Sequence, residues 1–282
     1  MSTSAGLQAF SDPLGPKGRL RTRIASAAGL VLILGLLVIA LRRLDSQGQL
    51  DQQDWEQILS KDGFELLLGG LVQTLKVAVI AVALSLSVGT LMALGRLSRI
   101  PFLRYLAGTY VELFRALPSL LLILIMFFGI GLGQFAAIVV GLSLYNSAVM
   151  AEIVRAGILS LPRGQAEAAL AVGMTTGQVS RFVVLPQAIS RMLPSIVAQG
   201  VVVLKDTSYG FVIGFEELLR RGQIAGQVTG DLLQCLVVVA VMYIAVCLSL
   251  SQVARWLEGR QRRRYGRAPV LVGNDAGAPA AA

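Results

Sequence analysis

A chain of 282 residues in which 55% are apolar, only 15% are charged and the formal net charge is +9 is not an ordinary soluble protein, because a soluble domain of this length could not bury that much apolar surface. The mean hydropathy of +0.71 indicates a multi-pass membrane protein, whose basic residues flank the spans and meet anionic headgroups rather than nucleic acid. The sequence contains no histidine, which excludes His-ligated metal sites and Ser-His triads.

Five or six segments reach the ~20 apolar residues that cross a hydrocarbon core of about 30 Å. Each must be helical, since a span satisfies its own backbone hydrogen bonds and none alternates like a barrel strand. The predicted spans of this all-α protein are 24–41, 66–95, 103–131, 134–158, 194–215 and 231–257. The second and third exceed an upright span, so we expect them to tilt or to project from the membrane.

The first segment follows an arginine-rich run at 19–23, a pattern that signal peptides share. Its apolar part is longer than the usual ~15 residues, and no small-residue cleavage site precedes the polar stretch 45–61. We therefore predict an uncleaved helix at 24–44 after a cytoplasmic tail at 1–23. The basic segment 258–282 is predicted to be a disordered cytoplasmic tail.

Most of the 25 Lys and Arg residues fall on one side of the six-span arrangement. They precede the first span, separate the second from the third and the fourth from the fifth, and follow the last. By the positive-inside rule both termini and the loop 160–190 are predicted to be cytoplasmic.

The sequence shows no phosphate-binding loop, and its two cysteines are not spaced for a disulfide within one helix. The glycine-rich stretch 129–133 has no Gly-Lys-Ser/Thr ending, so it predicts a turn between helices and no ATP hydrolysis by this chain alone. Cys235 and Cys247 lie on one predicted helix about 18 Å apart, too far for a disulfide within that helix.

Ionisable residues inside spans are costly and face a partner or a cavity. They are Lys76, Glu112, Arg115, Glu152, Arg155, Lys205 and Asp206. Glu112 with Arg115, and Glu152 with Arg155, are spaced i, i+3 and are predicted to neutralise each other, with direct substrate contact as the alternative. Lys76 has no acid within four residues, so it faces either an anionic substrate or an acid on another helix. Pro118 interrupts the third span and predicts either a transport-related break or a packing kink.

A long ordered set of residues resembles the polar amino-acid permeases of ATP-binding-cassette importers. The resemblance covers about 65–257. It is carried by Thr74, Leu75, Glu112, Leu113, Phe114, Arg115, Pro118, Asn146, Ser147, Ala148, Ala151, Glu152, Ile153, Arg155, Ala156, Gly157, Ile158, Gly164, Gln165, Glu167, Ala168, Ala169, Gly173, Met174, Leu185, Pro186, Gln187, Ala188, Arg191, Leu193, Pro194, Lys205, Asp206, Thr207 and Ser208.

The resemblance implies a five-helix type I permease core, here extended by one N-terminal helix, in the cytoplasmic membrane. Its implied partners are a second permease, either a homologue or the same chain, two ATPase subunits that use ATP and Mg, and an extracytoplasmic solute-binding protein. No cofactor or metal is implied for this chain. The implied ATPase-coupling residues are Gln165, Glu167, Ala168, Ala169, Gly173, Met174, Leu185 and Pro186. The implied substrate path includes Lys76, Glu112, Arg115, Pro118, Asn146, Glu152, Lys205, Asp206, Thr207 and Ser208.

The coupling loop 162–188 has a local pattern of its own. Good helix formers occupy 167–171, Gly173 and Gly177 allow sharp turns, and Pro186 is expected to close the segment. This pattern predicts a helix-turn-helix knob, with an ordinary connecting loop as the alternative.

Substrate identity stays open at the level of sequence. Lys76 and Arg115 suit a glutamate, glutamine or aspartate side chain, whereas Glu112, Glu152 and Asp206 suit a basic one. Tyr209 and the pair 116–117 depart from the family pattern near the expected path. An ion-gradient-driven transporter with Asp206 or Glu152 as proton carrier is the main rival, and a membrane-embedded enzyme has little support.

Overall fold

The computed structural model describes residues 15–265, and the chain divides into two compact units, Met1–Gln57 and Ile58–Ala282. The first unit contains helix α1 (Pro16–Ser46), whose apolar side chains are exposed around the whole helix. Within the predicted cytoplasmic tail, residues 16–23 are helical, and Pro16 in the first turn suits the start of a helix. The rest of the predicted tail, 1–14, lies outside the described residues. Helix α2 (Gln52–Leu59) follows at the boundary between the units.

The second unit is helical throughout its described residues. Its helices are α3 (Lys61–Leu97), α4 (Pro101–Ala116), α5 (Ser119–Leu124), α6 (Gln134–Leu159), α7 (Arg163–Ala171), α8 (Thr176–Gln178), α9 (Leu185–Asp206), α10 (Leu218–Thr229) and α11 (Leu232–Tyr265). Two π turns, Ile125–Gly129 and Val179–Val184, and a 3-10 segment, Thr207–Ile213, connect some of them. Five helical stretches of residues 15–265 are long and apolar enough to cross a membrane, and the bent pair α4 and α5 makes a sixth. The prediction of an all-α protein with five or six spans is confirmed.

Helices α3 and α6 form the centre of the second unit and pack backbone to backbone. A β-carbon placed on Gly89 would lie 2.7 Å from the Ser147 carbonyl oxygen, and one on Gly141 would lie 2.8 Å from the Ile123 backbone of α5. Small residues permit such close packing where lipid supplies no hydrophobic force between helices. Helix α3 is about 55 Å long, which agrees with the expectation that it exceeds an upright span.

The third predicted span, 103–131, is not one helix. Helix α4 ends at Ala116, Pro118 precedes the first turn of α5, and the two axes differ by 99°. Proline lacks a backbone N–H and disfavours a helical residue before it, so the chain leaves the helix at Leu117. The turn predicted from the glycine-rich stretch is confirmed, since Gly131 lies between the π turn and α6.

At two other predicted boundaries the helix continues further. The fifth predicted span, which starts at 194, begins inside a longer helical stretch, Thr176–Ile213, and Pro194 lies inside α9. Neighbouring groups in a membrane helix satisfy the carbonyl that such a proline frees. The basic segment after 257 is not disordered as far as Tyr265, because α11 continues to that residue, and 266–282 lies outside the described residues. Cys235 and Cys247 are both free and buried on α11, as expected.

Candidate functional site

The loop 160–190 folds into a small helical knob between the end of α6 and the start of α9. Helix α7 ends at Ala171, and Gly173 reverses the chain with a φ of +86°, a conformation that costs other residues strain. Thr175 then caps α8: its hydroxyl accepts a hydrogen bond from the Gln178 N–H, while the Gln178 side chain accepts one from the Thr175 N–H at 2.8 Å. This reciprocal capping fixes the start of the second helical segment. The predicted helix-turn-helix knob is confirmed.

Two details of the knob prediction are wrong. Pro186 does not close the segment but lies in the first turn of α9, where a missing N–H removes no helical hydrogen bond. Gly177 makes no turn, since it lies inside α8 with no positive φ. The reversal therefore depends on Gly173.

The knob exposes both apolar and polar side chains on its outer surface, and hydrogen bonds connect its base to the helix bundle. Val172 is 80% exposed and Phe182 is 64% exposed, whereas Ala169 and Val179 are buried. Glu167, Ala168, Leu185 and Pro186 are also exposed, and Met174 is half-buried. At the base the Gln187 amide donates to the Gln165 side-chain oxygen at 2.5 Å, and the Arg191 guanidinium donates to the Ser160 carbonyl at 2.7 Å.

Glu152 is the centre of an ion-pair cluster that joins α3, α4 and α6. Its carboxylate accepts a hydrogen bond from Arg96, lies 3.0 Å from the Arg155 Nε and lies 3.6 Å from the Arg115 Nη1. The predicted Glu152–Arg155 pair is confirmed. The other predicted pair is wrong: Arg115, in the last turn of α4, reaches across to Glu152, and Glu112 forms no ion pair among residues 15–265.

Asn146 lies six residues before Glu152 on α6 and is fully buried. Its amide nitrogen donates to the Leu142 carbonyl, and its oxygen accepts a hydrogen bond of 2.8 Å from the Gln199 amide of α9. The nearby Ser147 hydroxyl shares a hydrogen bond of 2.8 Å with the Tyr110 hydroxyl of α4. The knob's two flanking helices therefore meet again through polar side chains inside the bundle.

The segment 205–208 crosses the end of α9 into the 3-10 segment. Lys205 is exposed and lines, with Ser208 and Tyr243, a groove of about 570 Å³ along α9 and α11. Asp206 is half-buried, and the buried Thr207 hydroxyl donates to the Leu204 carbonyl. Lys76 is exposed on α3 and forms no ion pair within the described part of the chain. The ten predicted path residues therefore occupy several places and do not form one cluster.

A buried carboxylate fixes the start of α10. Glu217 is fully buried and accepts hydrogen bonds from the N–H groups of Leu219 and Arg220 and from the Tyr243 hydroxyl at 2.7 Å. The Thr74 hydroxyl of α3 accepts from the Leu218 N–H at 3.2 Å. Burial raises the pKa of the Glu217 carboxyl above its ordinary value, and the hydrogen bonds from Leu219, Tyr243 and Arg220 partly offset this effect.

Comparison with known proteins assigns the fold to a family. The sequence profile of the family described as "Binding-protein-dependent transport system inner membrane component" matches residues 57–263. The chain belongs to this family.

Curated relatives of the permease are transport proteins for amino acids. It is 41% identical over 238 residues to a glutamate transport system permease protein of Corynebacterium glutamicum. The aligned region covers 81% of this chain and 87% of the relative. It is 39% identical over 210 residues to a probable glutamine ABC transporter permease protein of Bacillus subtilis, which covers 72% of this chain and 96% of that one. A glutamate/aspartate import permease protein of Escherichia coli is 34% identical over 221 residues, which cover 73% of this chain and 97% of that one.

Solved structures agree with the permease fold. The crystal structure of an amino acid ABC transporter with histidines matches with a TM-score of 0.66 and 35% identity, and covers 70% of this chain and 94% of that one. An inward-facing MetNI methionine ABC transporter matches with a TM-score of 0.56 at 22% identity, and covers 71% of this chain and 99% of that one, which supports the fold alone. The permease is an integral, multi-pass membrane protein.

Sequence reasoning missed several polar groups that the permease brings together. Glu217, Tyr243 and Gln199 are absent from the predicted path, as is Arg96, which completes the cluster around Glu152. A usable signal existed only for Glu217, an acidic residue immediately before an amphipathic helix, where a side-chain oxygen satisfies free N–H groups. The other three make contacts across helices that no local pattern indicates.

Proposed function

We propose that this permease is the membrane subunit of an ATP-driven importer of polar amino acids, and that glutamate, glutamine and aspartate are its substrate class. The observation that carries the proposal is the 41% identity, over 81% of the chain, to the glutamate permease protein of Corynebacterium glutamicum. The family match favours this function over ion-gradient-driven transport.

The partners and orientation follow from the same proposal. Two ATPase subunits dock on the cytoplasmic side, a second permease completes the pathway, and an extracytoplasmic binding protein delivers the solute. The concentration of Lys and Arg beside the loop 160–190 and near both ends of the chain supports a cytoplasmic position for these parts. ATP and Mg belong to the ATPase subunits in this proposal.

The knob is the proposed docking point for an ATPase subunit. Its exposed apolar side chains, Val172 and Phe182, offer a surface that water solvates poorly, while Glu167 and Arg181 beside them supply charges for orientation. The apolar side chains belong to the knob's outer surface and the polar contacts to its base, so a partner can bind without breaking the fold.

Movement of the knob has a direct route to the interior. Gln187 and Arg191 of α9 are hydrogen-bonded to Gln165 and to the end of α6, so a push on the knob acts on both helices together. These helices carry Gln199 and Asn146, which bond to each other in the bundle. We propose that ATPase closure rearranges this pair and thereby opens or closes the solute path.

A substitution pair tests the docking proposal. Val172→Asp places a charge in the proposed interface, and we expect loss of the ATPase subunits on co-purification from the membrane. Val228→Asp is the matched control, because Val228 is 82% exposed but lies on α10, away from the knob; it should retain the ATPase. Equal retention by both variants would remove the knob from the ATPase interface.

A second experiment tests the substrate class. The complete transporter, with its binding protein, is reconstituted in liposomes, and ATP hydrolysis is measured with each amino acid in turn. Stimulation by glutamate, glutamine or aspartate is expected. Stimulation by arginine or lysine alone would contradict the proposed substrate class, and uptake without ATP would contradict the proposed class of transporter.

A further inference from the structure

A polar groove of about 580 Å³ lies beside α4 and is separate from the knob and from the Lys205 groove. Its lining includes Arg96 from the end of α3, Arg104, Tyr105 and Glu112 from α4, and Arg155 from α6. The groove is open on one side. It is thus a shallow binding surface reachable from outside the bundle.

The groove carries excess positive charge that the permease itself does not neutralise. Three guanidinium groups and one carboxylate line it, so two positive charges remain. Arg96 and Arg155 are held in position by Glu152, and Glu152 with its additional partner Arg115 adds no net charge. Arg104 is exposed and forms no ion pair among residues 15–265, so it is available to an external anion.

The position of α4 suits the headgroup region of a membrane. The helix crosses the last turns of α3: Ala107 lies against Gly95, and Val111 shares a buried cluster with Ala93. Apolar residues elsewhere on α4 remain outside this contact, with Phe102 71% exposed and Tyr105 77% exposed. Aromatic side chains beside basic ones are typical of helices at the membrane interface.

We propose that this groove binds the headgroup of an anionic phospholipid of the phosphatidylglycerol type. Arg104, Arg96 and Arg155 donate to the phosphate oxygens, and guanidinium groups suit this geometry because they present paired N–H donors. Glu112 accepts a hydrogen bond from a headgroup hydroxyl, which accounts for a carboxylate in an anion site. The acyl chains pass beside Tyr105 and Phe102. A soluble phosphate could use the same arginines, but it has no use for the exposed aromatic side chains.

The test measures lipid retained by the assembled transporter. The complex is reconstituted in nanodiscs of phosphatidylcholine with a minority of phosphatidylglycerol, released in detergent and examined by native mass spectrometry. The native permease should retain phosphatidylglycerol in preference to phosphatidylcholine. Arg104→Gln should weaken retention about tenfold, the equivalent of one charge-assisted hydrogen bond, and Arg104→Lys should restore part of it.

Arg99→Gln is the matched control. It removes the same charge from an exposed position five residues away that does not line the groove, and it should leave retention unchanged. Equal losses in Arg99→Gln and Arg104→Gln would overturn the proposal in favour of diffuse attraction. Unchanged retention in Arg104→Gln would overturn it as well. Inorganic phosphate added in millimolar excess should not displace the lipid, and displacement would assign the groove to a soluble anion instead.

Discussion

The knob at 160–190 and the Glu217 network each stabilise a turn between helices, but the knob is exposed to solvent whereas the Glu217 network is buried. The hydrogen bonds that cap α8 in the knob connect residues three apart in sequence, and the knob's outer side chains are exposed. Glu217 is buried and connects α10 to α11, while the next residue connects α10 to α3. The knob thus presents apolar side chains to solvent, whereas the buried Glu217 carboxylate is satisfied by hydrogen bonds inside the protein.

The largest expected effect is on the buried side of this comparison. Glu217→Ala removes the acceptor of three hydrogen bonds and leaves the Tyr243 hydroxyl and two N–H groups without it, so we expect a loss of about 3 kcal/mol in the free energy of unfolding. Glu216→Ala is the control, because Glu216 is mostly exposed and its ion pair with Arg221 is 3.6 Å long. Denaturation in detergent would measure the free energy of unfolding of both variants. Similar losses in Glu217→Ala and Glu216→Ala would contradict the stabilising role assigned to the buried carboxylate.

An intermediate effect is expected at Glu152, which is neither fully buried nor free. Glu152→Ala leaves Arg96, Arg115 and Arg155 facing one another, and we expect a loss of about 2 kcal/mol, less than for a fully buried pair because solvent screens part of the repulsion. Glu112→Ala removes a carboxylate that forms no ion pair within the described residues and should change stability by much less. The comparison is made by thermal unfolding of the purified complex, and the reverse order of the two variants would contradict the assignment of the cluster.

The smallest stability effect is expected on the knob. Gly173→Ala forces alanine to a φ of +86°, which costs about 1 kcal/mol, although an added β-carbon meets nothing within 4 Å. Gly177→Ala adds the same carbon in equally open space at a helical position, and should be neutral. Solute-stimulated ATPase activity should fall several-fold in Gly173→Ala alone. Full solute-stimulated ATPase activity in Gly173→Ala would show that the turn at Gly173 is not needed for coupling.

Hydropathy and local pattern predicted the number of spans and the knob, because both depend on residues near in sequence. The apolar segments needed only their length, and the knob needed helix formers followed by a glycine. The break at Pro118 was also visible locally, although its 99° bend was not, since the angle depends on how α5 packs against Gly141 of α6.

The contacts across helices could not be predicted in the same way. The i, i+3 spacing correctly paired Glu152 with Arg155 but wrongly paired Arg115 with Glu112. A spacing rule considers residues of one helix only, whereas Arg115 of α4 contacts Glu152 of α6. Gln199 and Tyr243 have polar side chains within apolar runs, and only the packed bundle shows that they bond to Asn146 and Glu217. Pro186 was assigned to the end of a segment because proline is tolerated both after a helix and in its first turn.

At Gly89 and Gly141, helices α3, α5 and α6 approach so closely that a β-carbon at either position would lie less than 3.0 Å from main-chain atoms. A shift along either contact would drive main-chain atoms into each other, whereas the contact between α6 and α9 at Gly157 is made by the flexible side chain of Met192. The contact between α6 and α9 can therefore adjust through the rotamers of Met192, which the backbone contacts at Gly89 and Gly141 cannot do. In the proposed transport cycle, a load applied to the knob would then be taken up between α6 and α9 and not between α3 and α6.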